Sequence, residues 1–246
     1  MLSVVVLARN EEKNIEGCLK SLGFCDEVLV IDDDSTDKTV EIAKKHEAKV
    51  IPRKLNDDFA SQRNFALSKT VHDWVLYIDA DEKVTDDLIQ ETAATLKNNP
   101  AATAFYLRRR DFFWGRELKY GETQTARNRG ILRLVKKGTG QWKGKVHEEW
   151  ETQGETARFS NFIDHYPHQT IISFLRTIND YSSKRAEELY KNSVKTSVLS
   201  IFFNPLSKFI YTYFIKFGFL DGPAGFVYSF MMSFHSFLVR AKLFLR

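Results

Sequence analysis

Residues Trp74–Asp81 read WVLYIDAD, an apolar strand pattern that ends in two carboxylates. A buried strand that ends in Asp79 and Asp81 places hard oxygen ligands at the carboxyl edge of a sheet, where open α/β sheets bind their ligands. Such carboxylates suit Mg²⁺ or Mn²⁺, and either ion suits a diphosphate. A simpler alternative stays open here, because aspartate is also a common N-cap for the helix that follows.

Strands and helices alternate at short spacing around this segment. Apolar runs predict strands at 2–8, 27–31, 48–51 and 73–78, and helical spacing predicts helices at 11–22, 36–46, 59–68 and 86–98. This alternation predicts an α/β fold with a mostly parallel sheet sandwiched by helices. Two further strands are expected at 103–109 and 130–135, and the aromatic, charged stretch between them is expected to be a long active-site loop.

The C-terminal part of the chain has a different composition. Residues 198–246 hold eleven of the twenty phenylalanines, five basic side chains and one acidic one. We therefore predict a catalytic domain over 1–167 and a helical, Phe-rich basic extension over 168–246 that associates with a membrane surface. In-plane or shallow re-entrant insertion is favoured. A single span, or a helical pair that packs on the catalytic domain or forms a homo-oligomer, stays open.

Other features of the chain narrow its class. Cys18 and Cys25 indicate neither a disulfide framework nor a zinc site, and predict a reduced cytosolic setting. The chain begins directly with a strand, so no signal peptide is expected. We expect no nucleic-acid partner.

Three loops follow predicted strands, at 8–11, 32–35 and 79–81. In a doubly wound sheet they would converge on one crevice. So many carboxylates would repel an anion unless a cation is bound, which indicates a metal–nucleotide ligand. The chain has neither a Gly-x-Gly-x-x-Gly dinucleotide fingerprint nor a P-loop motif.

The blocks VVLARNEE (5–12), VIDDDSTDKT (30–39) and YIDADE (77–82) resemble the inverting family 2 glycosyltransferases of the GT-A fold. The likeness covers about residues 2–165 and is closest to the bacterial branch that builds lipopolysaccharide core and other surface glycans. It implies transfer of a hexose from a nucleotide sugar, expected to be a UDP-sugar, to a membrane-associated glycan or glycolipid (lipid-linked) acceptor in cell-envelope polysaccharide biosynthesis. It also implies a peripheral or monotopic position on the cytoplasmic face of the inner (plasma) membrane.

The resemblance assigns roles to individual residues. The nucleotide-sugar site would consist of Ala8, Arg9, Glu11, Asp33, Arg63, Asp79 and Arg133. Asp33 would accept a hydrogen bond from the uracil imide N–H, Ala8 and Arg9 would flank the base, and Arg63 would face the diphosphate. Asp79 would hold the ribose or a metal-bound water, and Asp81 would bind Mn²⁺ or Mg²⁺ directly. Arg133 would contact the diphosphate or the acceptor, or would be an edge-strand arginine.

The segment Trp142–Glu149, WKGKVHEE, is the second motif of weight. An inverting transferase needs one general base to take the proton of the acceptor hydroxyl. The resemblance favours Glu148, with Glu149 as runner-up, and in a strand the two side chains would point to opposite faces. His147 would either ligate the metal, orient the sugar or pack in the core. Trp114 and Trp142 are candidates for stacking on a sugar ring, or are core residues.

Three alternatives remain. A polyprenyl-phosphate glycosyltransferase would need no general base, because its acceptor is already a phosphate. A nucleotidyltransferase of similar fold usually has a Gly-rich N-terminal loop, which this chain lacks. A catalytically dead, membrane-associated scaffold is disfavoured by the presence of Asp79, Asp81 and Glu148.

Overall fold

The computed structural model describes residues 1–144, 148–168 and 170–246. These residues divide into two compact units. Unit 1 comprises residues 1–109 and 128–165, and unit 2 comprises residues 110–127 and 166–246. The segment 110–127 therefore belongs with the C-terminal helices. The boundary near Pro167, as a limit of independently folding domains, stays a prediction.

One twisted sheet forms the frame of unit 1, with the strand order β3-β2-β1-β4-β8-β6-β11-β5. The first four strands along this order are parallel, and the pairs β4–β8, β8–β6 and β11–β5 are antiparallel. The strands are β1 (Leu2–Ala8), β2 (Glu27–Asp32), β3 (Lys49–Pro52), β4 (Trp74–Asp79), β5 (Glu82–Val84), β6 (Ala104–Phe113), β7 (Arg116–Leu118), β8 (Ile131–Lys136), β9 (Gly140–Lys143), β10 (Glu149–Thr152) and β11 (Thr156–His165). Strand β7 pairs with the end of β6, and β9 and β10 form a separate antiparallel pair.

Helices alternate with the strands over the first hundred residues, as the sequence pattern predicts. The α-helices are α1 (Ile15–Lys20), α2 (Thr39–Lys45), α3 (Phe59–Lys69), α4 (Asp86–Lys97), α5 (Gln124–Arg129), α6 (Ile171–Lys191), α7 (Val198–Phe209) and α8 (Gly222–Phe244). Asp58 caps α3 and Thr85 caps α4, each accepting a main-chain N–H of the first turn. The α/β fold with a parallel core and a C-terminal helical extension is confirmed.

The sheet of unit 1 is buried on both faces, as parallel strands require. Along β1, Val4 and Val6 belong to one apolar core and Val5 belongs to the other. In β4 the same alternation places Leu76 in the first core and Tyr77 in the second. This packing fixes the register of the central strands and holds their carboxyl ends in one line.

Unit 2 is organised around α8, which packs against α6 and α7. Its core includes Phe113, Phe174 and Met231. The buried carboxylate of Asp221, at the start of α8, accepts main-chain hydrogen bonds from Lys119 and Tyr120. The expectation of a long loop between the strands at 103–109 and 130–135 was wrong, because β7 and α5 lie there and β6 runs on to Phe113.

A continuous apolar face covers one side of α7 and of the π-helical turn Ile210–Ile215 that follows it. Its apolar members are each between 43% and 67% exposed. They are Val198, Leu199, Phe202, Phe203, Leu206, Ile210, Tyr211, Phe214 and Ile215. We call this set the apolar stripe. Among the described residues, Val198–Ile215 is the one stretch that is long and apolar enough to cross a membrane, with a mean hydropathy of 1.3.

Candidate active site

The loops after β1 and β2 lie against each other at the carboxyl edge of the sheet. The Asp33 N–H donates to the carbonyl of Ala8 at 2.9 Å, and the Arg9 guanidinium lies 3.1 Å from the Asp33 carboxylate. The other Asp33 oxygen accepts the N–H of Leu55 at 2.8 Å. Asp33 is thus held in a fixed orientation, and each of its oxygens keeps a second lone pair for a ligand.

Glu11 lies in the same region, and the pKa of its carboxyl is raised. Burial, reinforced by the negative charges of Asp81, Asp37 and Asp79, raises the pKa of its carboxyl to about 7. Burial and neighbouring negative charge both disfavour the ionised carboxylate, and burial is the larger cause here. A cation bound near the three aspartates would offset the smaller, electrostatic part.

Asp79 and Arg133 form an ion pair in which the arginine is buried and the Asp79 side chain is 36% exposed. Arg133 contacts both oxygens of Asp79, with Nη1 at 3.2 Å from Oδ1 and Nη2 closer to Oδ2, and its side chain is 6% exposed. Burial opposes ionisation of Asp79, but the charges of Arg133 and Arg63 hold the pKa of this carboxyl below its usual range. The structure therefore places Arg133 inside unit 1, bonded to carboxylates, and its predicted contact with a diphosphate or acceptor stays untested.

Arg63 links α3 to the segment that contains the candidate base. Its Nε donates to Glu148 at 2.9 Å, and its Nη2 lies 3.7 Å from Asp79. The guanidinium carbon lies 5.2 Å from the ring centre of Tyr77 and 5.1 Å from that of Trp142. Among the described residues, its buried Nη1 has no hydrogen-bond partner. Arg63 thus joins Glu148 to the carboxylate edge and keeps donor capacity for a further anion.

The two candidate bases differ in environment. Glu148 precedes β10 and its side chain is 16% exposed, in contact with Arg63. Glu149 is exposed and lies opposite Lys143 in the β9–β10 pair. Of the two, Glu148 is the one that the structure brings to the other predicted site residues. His147 lies outside the described residues.

Asp81 has a neighbour that the sequence reasoning did not select. The Nε2 atom of His165 lies 3.2 Å from Oδ2 of Asp81, and the two side chains are 12% and 24% exposed. His165 ends β11 and stands opposite Glu82 in the β5–β11 pairing. No strand was predicted over the residues of β11, so the sequence reasoning gave no signal for His165.

The residues at this edge fit a divalent cation that also binds phosphate. No group of three or more His, Cys, Asp or Glu side chains suited to a metal is found in the part of the chain that the structure describes. Mg²⁺ and similar ions are nevertheless commonly held by one or two protein carboxylates together with water and substrate phosphates. Asp81 and His165 supply two adjacent candidate ligands for the ion.

The two tryptophans predicted to stack on sugar differ. Trp142 is 4% exposed and packs edge-on against Tyr77 and Trp150, so it is a core residue. Trp114 is 53% exposed and stacks on Phe113 within unit 2.

Comparisons with known proteins agree with the geometry. The model of the family "Glycosyl transferase family 2" matches residues 3–151. An uncharacterized glycosyltransferase of Rickettsia typhi is 30% identical, over 98% of this chain and 86% of its own length. The lipopolysaccharide core biosynthesis glycosyltransferase LpsC of Rhizobium meliloti is 27% identical, over 100% of this chain and 92% of its own.

A solved structure shows the same fold along nearly the whole chain. The structure of S. aureus TarS, residues 1–349, covers 98% of this chain and 90% of its own at a TM-score of 0.50 and 14% identity. The match to the family model covers more than half of the chain, and it includes every predicted site residue from Ala8 to Glu149. The chain is therefore a glycosyltransferase that belongs to family 2.

Proposed function

We propose that this enzyme transfers a hexose, with inversion, from a UDP-sugar to a glycan or glycolipid acceptor at a membrane, in cell-envelope polysaccharide synthesis. The observation that carries the proposal is the contact of Arg63 with both Glu148 and Asp79. It connects a carboxylate able to act as base with the edge that would hold the donor diphosphate. The 27% identity to a lipopolysaccharide core enzyme over the whole chain supports an envelope acceptor.

The donor nucleotide would bind at the loops after β1 and β2. Asp33 would accept the imide N–H of uracil, and Ala8 with Arg9 would flank the ring. The existing bonds from Leu55 and Arg9 orient the Asp33 carboxylate before the ligand arrives, which lowers the ordering cost of binding. Glu11 and Asp79 would line the ribose and diphosphate side of the same crevice.

Asp81, with His165, would hold Mn²⁺ or Mg²⁺. When bound, such an ion neutralises the diphosphate and favours departure of UDP. Arg63 and the buried Arg133 add positive charge on the same side. Arg63 would exchange part of its contact with Glu148 for the diphosphate, because its Nη1 has no hydrogen-bond partner among the described residues.

Glu148 would act as the general base. The acceptor hydroxyl oxygen forms the new bond to the anomeric carbon, its proton passes to Glu148, and the bond between that carbon and the diphosphate oxygen breaks. UDP leaves with the electron pair, and attack from the opposite side inverts the centre. If the acceptor were a polyprenyl phosphate, no base would be needed, and Glu148→Gln would keep most of the activity.

The membrane part of the proposal rests on unit 2. The apolar stripe is exposed, and the sequence ranges of unit 2 contain fourteen basic and seven acidic side chains, against 22 and 25 for unit 1. An apolar face on a cationic unit suits the surface of an anionic bilayer, here proposed as the cytoplasmic leaflet. In-plane insertion of α7 would bury the apolar stripe in the bilayer. A span through the bilayer or a homo-oligomer through the stripe are the competing outcomes.

Binding of UDP tests the donor assignment. We expect calorimetry in the presence of Mn²⁺ to show UDP binding that Asp33→Asn weakens roughly 10- to 100-fold, the loss expected for a hydrogen bond to a charged group. Asp34→Asn is the matched control, because the neighbouring Asp34 is 66% exposed and pairs with Lys54 instead. Equal affinities of both variants and the wild type would remove Asp33 from the nucleotide site.

A further inference from the structure

Glu82 is a fully buried carboxylate that directly follows Asp81. It begins β5 and is 0% exposed. A buried carboxylate is costly unless it is paired and hydrogen-bonded. Neither the donor site nor the base accounts for its presence, so its contacts indicate what it does.

Both oxygens of Glu82 are hydrogen-bonded, one within the turn that carries Asp81 and the other to Arg133 on β8. Oε2 accepts the main-chain N–H of Asp79 at 2.9 Å, and Oε1 accepts Nη2 of Arg133 at 2.9 Å. Arg133 in turn binds the carboxylate of Asp79. Glu82 therefore holds the backbone of Asp79 directly, and it holds the side chain of Asp79 through Arg133. These contacts close the two-residue turn between Asp79 and Glu82.

Glu82 also lies next to the second candidate metal donor. Its Cα partner in the antiparallel β5–β11 pair is His165. The position of residue 82 thus sets both the turn that presents Asp81 and the strand end that presents His165. A shift of this residue would change the 3.2 Å separation of the two donors.

We propose that Glu82 and Arg133 are a positioning pair. They hold Asp81 and His165 at the spacing needed to bind a divalent cation, without contacting the UDP-sugar themselves. This inference rests on the proposed metal role of Asp81. Residues that orient metal ligands typically change metal affinity about 10- to 100-fold when they are replaced.

The test is Mn²⁺ affinity, measured as free Mn²⁺ by electron paramagnetic resonance during titration of the full-length protein. Glu82→Gln keeps the size and one acceptor oxygen but turns an amide toward Arg133. We expect the dissociation constant for Mn²⁺ to rise roughly 10- to 100-fold. In a coupled assay, the Mn²⁺ concentration for half-maximal rate should rise by the same factor, while kcat at saturating Mn²⁺ changes much less.

Glu91→Gln provides the control. The Glu91 carboxylate accepts the N–H groups of Ser160 and Asn161, at 2.7 and 2.9 Å, so it also fixes β11 but away from His165. Its Mn²⁺ affinity should equal that of the wild type. If Glu82→Gln fails to fold, Arg133→Lys is the second variant. It retains the charge, loses the two-point contact and should also lower the affinity for Mn²⁺.

The outcomes separate the positioning idea from the metal site. If Glu82→Gln or Arg133→Lys binds Mn²⁺ with wild-type affinity while Asp81→Ala loses affinity, the positioning role would be overturned. The proposed metal site at Asp81 would be retained. Unchanged affinity in Asp81→Ala and His165→Ala would overturn the metal site itself. An equal loss in Glu91→Gln would show that general loosening of β11 is responsible, which also contradicts the proposal.

Discussion

Replacement of phenylalanines in the apolar stripe should release the enzyme from anionic membranes. Phe202, Phe203 and Phe214 are 66%, 60% and 53% exposed. Complete burial of a phenylalanine is worth about 1.5–3 kcal/mol, so a side chain exposed to this extent would gain about 1–2 kcal/mol on entering the bilayer. Three such residues give about 3–5 kcal/mol, or roughly a hundredfold to a few thousandfold in partition.

The assay is co-flotation with vesicles of phosphatidylglycerol and phosphatidylethanolamine. The triple variant, with glutamine at all three positions, should remain in solution at lipid concentrations that bind the wild type. Ile172→Gln is the control, because Ile172 is 63% exposed on α6 but lies outside the stripe, and its partition should not change. Neutral phosphatidylcholine vesicles should bind the wild type more weakly, since basic side chains near an anionic surface add about 1 kcal/mol each.

Equal flotation of the triple variant and the wild type would refute the membrane role of the stripe. The stripe would instead bind a second copy of the chain if the wild type forms dimers, the triple variant is monomeric and neither protein binds vesicles.

Three further predictions concern catalysis, pH and packing. Glu148→Gln should lower kcat about 10²- to 10⁴-fold, as for loss of a general base, and Glu149→Gln much less, as measured by UDP release. The folded-state pKa of Glu11 is about 7 against an ordinary 4.5, so its contribution to stability should be complete below pH 4.5 and be lost as the pH rises to 7. Urea unfolding of the metal-free protein measures this loss, and Glu11→Gln should reduce the dependence of the unfolding free energy on pH. A methyl group at Gly225 would overlap a neighbouring backbone oxygen, so Gly225→Ala should cost about 1–3 kcal/mol by thermal unfolding, whereas Gly23→Ala, with open space around it, should not destabilise.

The sequence was sufficient to predict the parallel half of the sheet. Strands β1 to β4 are short apolar runs separated by helical patterns, and their carboxylate-rich ends meet because parallel neighbours end on the same side. The contacts of Arg9 with Asp33 follow from that geometry. Local pattern and topology agree here, so local reasoning was enough.

Long-range antiparallel pairing accounts for what the sequence reasoning missed. His165 reaches Asp81 only because β11 returns to pair with β5, and Arg133 reaches Asp79 because β8 inserts beside β4. Periodicity carries no information about which distant strands pair. The short strand β7 and helix α5 were likewise hidden within an aromatic, charged stretch that has no clear period.

The assignment of donor and metal is best tested by UDP release with Mn²⁺ across a panel of UDP-sugars, compared between wild type and Asp81→Ala in detergent-solubilised protein. We expect slow hydrolysis of one donor by the wild type, abolished by chelator and by the substitution. Mn²⁺-stimulated release that is equal in both proteins would contradict the role of Asp81, and no release or UDP binding by either protein would contradict the UDP-sugar assignment.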